Sequence, residues 1–134
     1  TINTPSMLCV EDYHDALDWA DSIGGLNALV EKSERNLGVL ERYVSSNEDW
    51  LQFLCQDKAT RSSTSICLTM PQLQASQVKK LTSMLEQEGV AFDIGAYRDA
   101  PAGLRIWGGA TVEEADLESL MPWVKWAHDH VKDS

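Results

Sequence analysis

A basic surface is the first thing missing from this sequence. Its 134 residues carry 11 Lys and Arg against 21 Asp and Glu, a formal charge of −10. No local basic cluster offsets that balance, so a phosphate backbone or an anionic membrane would repel the chain, and neither nucleic acid nor membrane is expected as a partner. Long apolar runs are missing too. The uncharged stretch from Ser62 to Ala75 is studded with Ser, Thr and Gln, far from the roughly 20 apolar residues of a membrane helix. Cysteine is scarce: Cys9, Cys55 and Cys67 cannot all pair within one chain and include no C-x-x-C, which argues against a disulfide framework and a zinc site and for a reducing, cytoplasmic setting. The opening Thr1-Ile2-Asn3-Thr4-Pro5 has neither an initiator Met nor a basic stretch. A secretory signal is not expected there, and the chain is expected to begin inside something longer.

What remains is one globular domain with 43% hydrophobic residues, large enough to bury a core. Thr4 and Pro5 read as the cap and first turn of a helix carrying Val10, Tyr13, Leu17, Ala20 and Ile23 on one stripe, stopped by Gly24-Gly25. From Leu26 a second stripe, Leu29, Val30, Leu37, Leu40 and Val44, predicts a longer helix ending near Ser45-Ser46-Asn47. Trp50 to Leu54 reads as a strand, as does Ile66-Leu68-Met70 alternating with Ser65, Cys67 and Thr69. Val78, Leu81, Met84 and Leu85 predict a helix closed by Gly89. Val90–Ile94 and Gly103–Trp107 read as strands. Thr111-Val112-Glu113-Glu114 has the pattern of a capping box opening a last helix, which Pro122 should kink or divide. The order predicts an α+β layer, a mostly antiparallel sheet with helices on one face.

Few side chains in these elements suggest chemistry. His128 and His130 lie two residues apart, about 200° around a helix, and so do not share a metal easily; a solvated helix end is the expectation. His14 has no nucleophile beside it, and the acidic pairs Glu11-Asp12, Asp15/Asp18 and Glu113-Glu114 sit where helix openings and polar faces expect carboxylates. Trp19, Trp123 and Trp126 read as packing or interface residues rather than a ligand box. Arg105 is different, because strand alternation sets it opposite Leu104 and Ile106. A guanidinium there needs an anion, either an acidic side chain or a ligand carboxylate or phosphate held through two parallel hydrogen bonds. Arg98, in a loop of small residues and Pro101, either pairs with Asp99 or joins Arg105 in gripping a doubly anionic small molecule. Asn3 and Thr4 precede a helix, where such residues cap it or bind phosphate.

Thr1-Ile2-Asn3-Thr4-Pro5-Ser6-Met7-Leu8, Val10-Glu11-Asp12-Tyr13, Ala16-Leu17-Asp18-Trp19-Ala20 and the run Asp93 to Pro101 into Gly103 to Val112 closely resemble the phosphoserine aminotransferases. These are class V, fold-type I enzymes that use pyridoxal 5'-phosphate. The resemblance covers essentially the whole chain, but only the C-terminal third of such an enzyme. It implies a small C-terminal aminotransferase domain over residues 9–134, with residues 1–8 ending a large cofactor domain, and a cytoplasmic homodimer. The implied reaction transfers an amino group from glutamate to 3-phosphohydroxypyruvate, giving phosphoserine and 2-oxoglutarate in serine biosynthesis.

By the same resemblance, Asn3 and Thr4 bind the cofactor phosphate of the other subunit, Arg105 grips the substrate α-carboxylate and Arg98 contacts the phosphate end of the substrate. The Schiff-base lysine, the aspartate on the ring nitrogen and the ring-stacking aromatic precede this segment in the family. Lys32, Lys79, Lys80, Lys125 and Lys132 lie on polar helix faces and Lys58 in a loop, where none meets the desolvation imine chemistry needs. These residues alone are therefore expected to be inactive. Two other readings remain: a class V aminotransferase of the alanine–glyoxylate type, and a free-standing α+β interaction domain whose arginines form structural ion pairs.

Overall fold

Gly24, at φ +113°, turns the chain between its first two helices in a region that side chains with a Cβ seldom adopt. The computed structural model describes residue 4 and residues 6–133. Helix α1 spans Met7–Ser22. Its cap is Ser6, whose Oγ accepts from the Cys9 N–H at 3.5 Å, not Thr4 as expected. No α1 residue is buried, and Met7, Leu8 and Tyr13 are each about two-thirds exposed. Helix α2 spans Gly25–Ser45 and buries Asn36, Val39, Leu40 and Val44.

Strands β1 (Gln52–Phe53), β2 (Ser65–Thr69) and β3 (Gly103–Trp107) form an antiparallel sheet in that order. The β2–β3 register sets Ile66 against Ile106, Cys67 against Arg105 and Leu68 against Leu104. Period-two alternation then sends Ile66, Leu68, Leu104 and Ile106 to one face. There they join a single core with Leu81 and Leu85 of helix α3 (Ala75–Gln87) and Leu117, Met121 and Val124 of helix α4 (Glu114–Lys132). This is the α+β architecture expected from the sequence.

Several local expectations are corrected. The strand expected at Trp50 to Leu54 is only the two residues of β1, since Trp50 and Leu51 close a turn onto the Asn47 carbonyl. Val90–Ile94 forms no strand, because Asp93 takes φ +51° and breaks the extended run. What survives is one bridge, Gly95 to Leu104, beside the Arg105 N–H donating to the Ile94 carbonyl at 2.8 Å. The Thr111 box does not form either: Thr111 Oγ1 accepts from Trp107 Nε1 at 3.1 Å, and α4 starts at Glu114. A reciprocal box closes instead at Gln74 and Gln77, opening α3. Pro122 does not divide α4, which runs through it with Met121 and Val124 anchored in the core on either side.

His128 is not part of a solvated helix end. It is buried against Trp50, ring centroids 4.6 Å apart, with Nδ1 3.2 Å from the Asp129 carboxylate and Nε2 without a partner among the described residues. His130 does stay exposed, Nδ1 2.8 Å from the Trp126 carbonyl, and among the described residues no cluster fit for a metal occurs. Among the described residues no helix is long and apolar enough to cross a membrane.

Asn36 ties α2 to the turn after β3. Its buried Nδ2 reaches the carbonyls of Gly108, Gly109 and Val112 at 3.0, 3.2 and 2.9 Å. Two N–H bonds thus serve three acceptors. Asn36→Ala should strand those carbonyls and cost about 2 kcal/mol, read as a fall in the urea midpoint at unchanged slope.

The half-exposed Lys125–Asp129 pair offers a pH signature. Hydrogen bonds from Lys125, at 2.6 Å, and then from His128 hold the Asp129 carboxyl below its ordinary value. A depressed folded-state pKa means that this contribution is complete above the unfolded value of about 3.9 and lost as pH falls through the lower folded one. Solvent keeps it below about 1 kcal/mol. Asp129→Asn should therefore lower stability slightly at neutral pH and flatten its decline between about pH 5 and pH 2, as measured by urea unfolding across that range.

Candidate functional site

Arg105 sits at the centre of β3, and its cross-strand neighbour Cys67 shares its face of the sheet. Leu104 and Ile106 are buried on the opposite face while the Arg105 side chain keeps 37% of its surface exposed. Sheet geometry thus holds the stem of the arginine and leaves its head free to meet a partner. One Nη reaches Asp93 Oδ2 at 3.5 Å, and that carboxylate is itself 95% exposed. A pair so long and so wet contributes little, in the range of about 0–1 kcal/mol, and is readily exchanged for a better anion. The Tyr97 ring lies 5.9 Å from the guanidinium carbon, a distant cation–π contact.

The guanidinium opens onto a cavity of about 510 Å³. The Val90–Ile94 segment forms one wall, Trp107 of β3 and Ser65 of β2 another, and Val112 just before α4 with Asp116, Leu117 and Leu120 at its start the third. Mostly apolar walls with one cation are suited to a small organic acid, whose carboxylate would displace Asp93. Asp93, at the positive φ noted above, and Asp116 set two carboxylates beside that one cation in the lining.

Arg98 is placed elsewhere. It lies in a turn closed by the Ala100 N–H donating to the Tyr97 carbonyl at 3.0 Å, it is exposed, and it has no ion pair with Asp99 or any other described residue. Instead of lining the Arg105 cavity it lines a second one of about 420 Å³ against α3. Tyr97 lines that second cavity and faces Arg105 at 5.9 Å. Thr4 is exposed. Asn3 lies outside the described residues.

No lysine among the described residues is buried: Lys32 and Lys125 are half-buried in ion pairs with Glu113 and Asp129, and the others are exposed. Trp123 and Trp126 pack edge to face at 5.5 Å, and Trp126 then stacks on His130. That is packing, as expected, and not a ligand box.

The sequence reading foresaw an acidic partner for Arg105 only as a class, and it missed Asp93 and Tyr97 as the groups that touch the guanidinium. It also missed Arg61, nearly buried, whose Nη donates to Glu41 at 2.6 Å while the guanidinium stacks on Phe53. Glu41 and Arg61 lie in separate elements, and nothing in their spacing announces the pair.

No family model matches this sequence. Two curated relatives do: phosphoserine aminotransferases of Methanosarcina mazei and Methanosarcina barkeri, 53% and 52% identical over 132 residues. Each match covers 98% of this chain, which spans about a third (35%) of the relatives' length. Among solved structures, a phosphoserine aminotransferase studied for radiation damage of its Schiff base superposes with a TM-score of 0.82 at 15% identity, covering 96% of this chain and 34% of that one. Phosphoserine aminotransferase from Bacillus circulans subsp. alkalophilus superposes at 0.80 with 21% identity, covering 98% and 34%. At such identities the structures speak for the fold. The curated relatives bear out the resemblance read from the sequence: over nearly its whole length this chain is related to phosphoserine aminotransferase, as a C-terminal portion of such a protein would be.

Proposed function

We propose that this chain is the substrate-recognition wall of a phosphoserine aminotransferase. The intact protein would transfer an amino group from glutamate to 3-phosphohydroxypyruvate, giving phosphoserine and 2-oxoglutarate in serine biosynthesis in the cytoplasm. The observation that carries the reading is Arg105, set by β3 over an apolar-walled cavity with only an exposed carboxylate at 3.5 Å to hold it. In this proposal Arg105 takes the α-carboxylate that both substrates share, through two parallel hydrogen bonds that Asp93 gives up. Arg98 takes the phosphate end. The names of both curated relatives favour this over an alanine–glyoxylate enzyme, which needs no phosphate contact.

Pyridoxal 5'-phosphate is the cofactor this reading requires, and the chain fits only an edge of its site. Thr4, exposed with no side-chain hydrogen bond among the described residues, suits a contact to the cofactor phosphate of a partner subunit, with Asn3 beside it. The absence of any buried lysine among the described residues supports placing the Schiff-base lysine in the two-thirds of the relatives that this chain does not match. When bound, the cofactor supplies the electron sink for the substrate's Cα–H bond. Arg105 and Arg98 would then contribute orientation, fixing both ends of the substrate so that this bond has one direction. Residues 9–134 would form the small domain and residues 1–8 the end of the large one, the boundary falling in the first turn of α1. The unburied apolar side chains of α1 support a covering surface, which we assign to the N-terminal large domain and to the second subunit of a homodimer.

Steady-state kinetics of the full-length protein test the roles. Arg105→Ala should lower kcat/KM for glutamate and for the phosphorylated substrate alike, by about a hundredfold, the loss of a bidentate charged contact. Arg98→Ala should raise KM for the phosphorylated substrate about tenfold and leave glutamate unchanged. Equal losses on both substrates for Arg98→Ala would refute its phosphate role.

A further inference from the structure

Among the described residues, Lys58, Lys79, Lys80, Arg98 and Lys132 enter no ion pair. All five are exposed, and what they face differs. Lys79 and Arg98 face the same space, the cavity of about 420 Å³ between α3 and the 95–103 segment. No acidic residue lines it. Thr82 of α3 lines it as well, its hydroxyl donating to the Lys79 carbonyl at 3.0 Å, and Ala75 brings the first turn of α3, the positive end of that helix, to the same wall. Asp99, the acid next to Arg98 in sequence, shares with Arg98 and Tyr97 a separate hollow of about 300 Å³ but does not line the cavity that Arg98 shares with Lys79. Two cations without ion pairs and a helix's positive end around a cavity lined by no acid make a site for a compact dianion.

We infer that Lys79 is a phosphate-binding residue, sharing with Arg98 the cavity beside α3, and that it selects phosphorylated ligands over those bearing a carboxylate at the same end. A phosphate monoester carries close to two charges at neutral pH. It gains from a second cation what a monoanionic carboxylate cannot, and a lysine ammonium serves phosphate well as a point charge. Tyr97 lines this cavity and faces the Arg105 guanidinium at 5.9 Å, so the cavity and that guanidinium border the same ring. That the ligand is the aminotransferase substrate rests on the function proposed above. That the cavity takes a phosphate dianion does not.

The test is a titration of the full protein, labelled with 15N-arginine, with inorganic phosphate and separately with O-phospho-L-serine, followed at the Arg98 Nε–H resonance. Phosphate should shift that resonance saturably, and Lys79→Ala should weaken the binding about fivefold, as loss of one charged contact on an open surface does. Lys80→Ala, an equal loss of charge one residue away on the same helix and outside the cavity, should change nothing. Equal effects of the two substitutions, or a shift that never saturates, would overturn the inference. Arg105→Ala separates the two sources of phosphate. If it weakens phosphoserine but not inorganic phosphate, the ligand spans both cavities and the inference stands whole. If it weakens neither while Lys79→Ala still weakens both, Lys79 binds phosphate as inferred and the substrate reading of Arg105 is what fails.

Discussion

A guanidinium held by backbone geometry but not by a counterion is the feature on which the rest of this structure turns. The β2–β3 ladder fixes which face Arg105 occupies, since a slip of one residue would drive it into the core among Leu68, Leu81 and Leu117. Among the described residues the one acid that meets the charge is Asp93, at 3.5 Å and almost fully in water, with the Tyr97 ring 5.9 Å away. Contrast Arg61, close to Glu41, stacked on Phe53 and bonded to the Cys55 carbonyl. One arginine is consumed by the fold, and the other is kept available to something outside it.

The remaining architecture positions that group. Gly103 begins β3 where any Cβ would run into the Leu68 carbonyl oxygen, so the strand approaches β2 as closely as only glycine permits. Asn36 pins the turn at 108–112 to α2, and ion pairs of Lys32 with Glu113 and of Arg35 with Glu114 hold the start of α4. That start is one wall of the Arg105 cavity. The edge of β3 is covered not by a full strand but by a single bridge at Gly95, which leaves the 90–94 segment free to bend outward as the facing wall. A regular strand there would have closed the space.

Much of this could be read from residue patterns, for identifiable reasons. Helix α3 shows a clean 3.6-residue stripe ended by Gly89, which takes φ +69°, and β2 and β3 alternate strictly, so elements and faces followed directly. What could not be read are choices between partners. Thr111 had the spacing of a cap but found the Trp107 indole instead, and Thr4 gave way to Ser6. His128 looked like a polar helix end, yet Trp50, far away in sequence, folds over it. Asp93 broke an apolar run by adopting a left-handed backbone, which no local pattern marks in an aspartate. For the site, Arg105 was legible because alternation is local. That Arg98 borders a different cavity was not, because it depends on where α3 packs.

The central claim is that Asp93 is a placeholder for a substrate carboxylate. A crystal structure of the full protein with glutamate bound tests it most directly. The account predicts both guanidinium nitrogens of Arg105 within hydrogen-bond distance of the α-carboxylate, with Asp93 displaced into solvent. An Arg105 still resting on Asp93 while another group holds that carboxylate would contradict it.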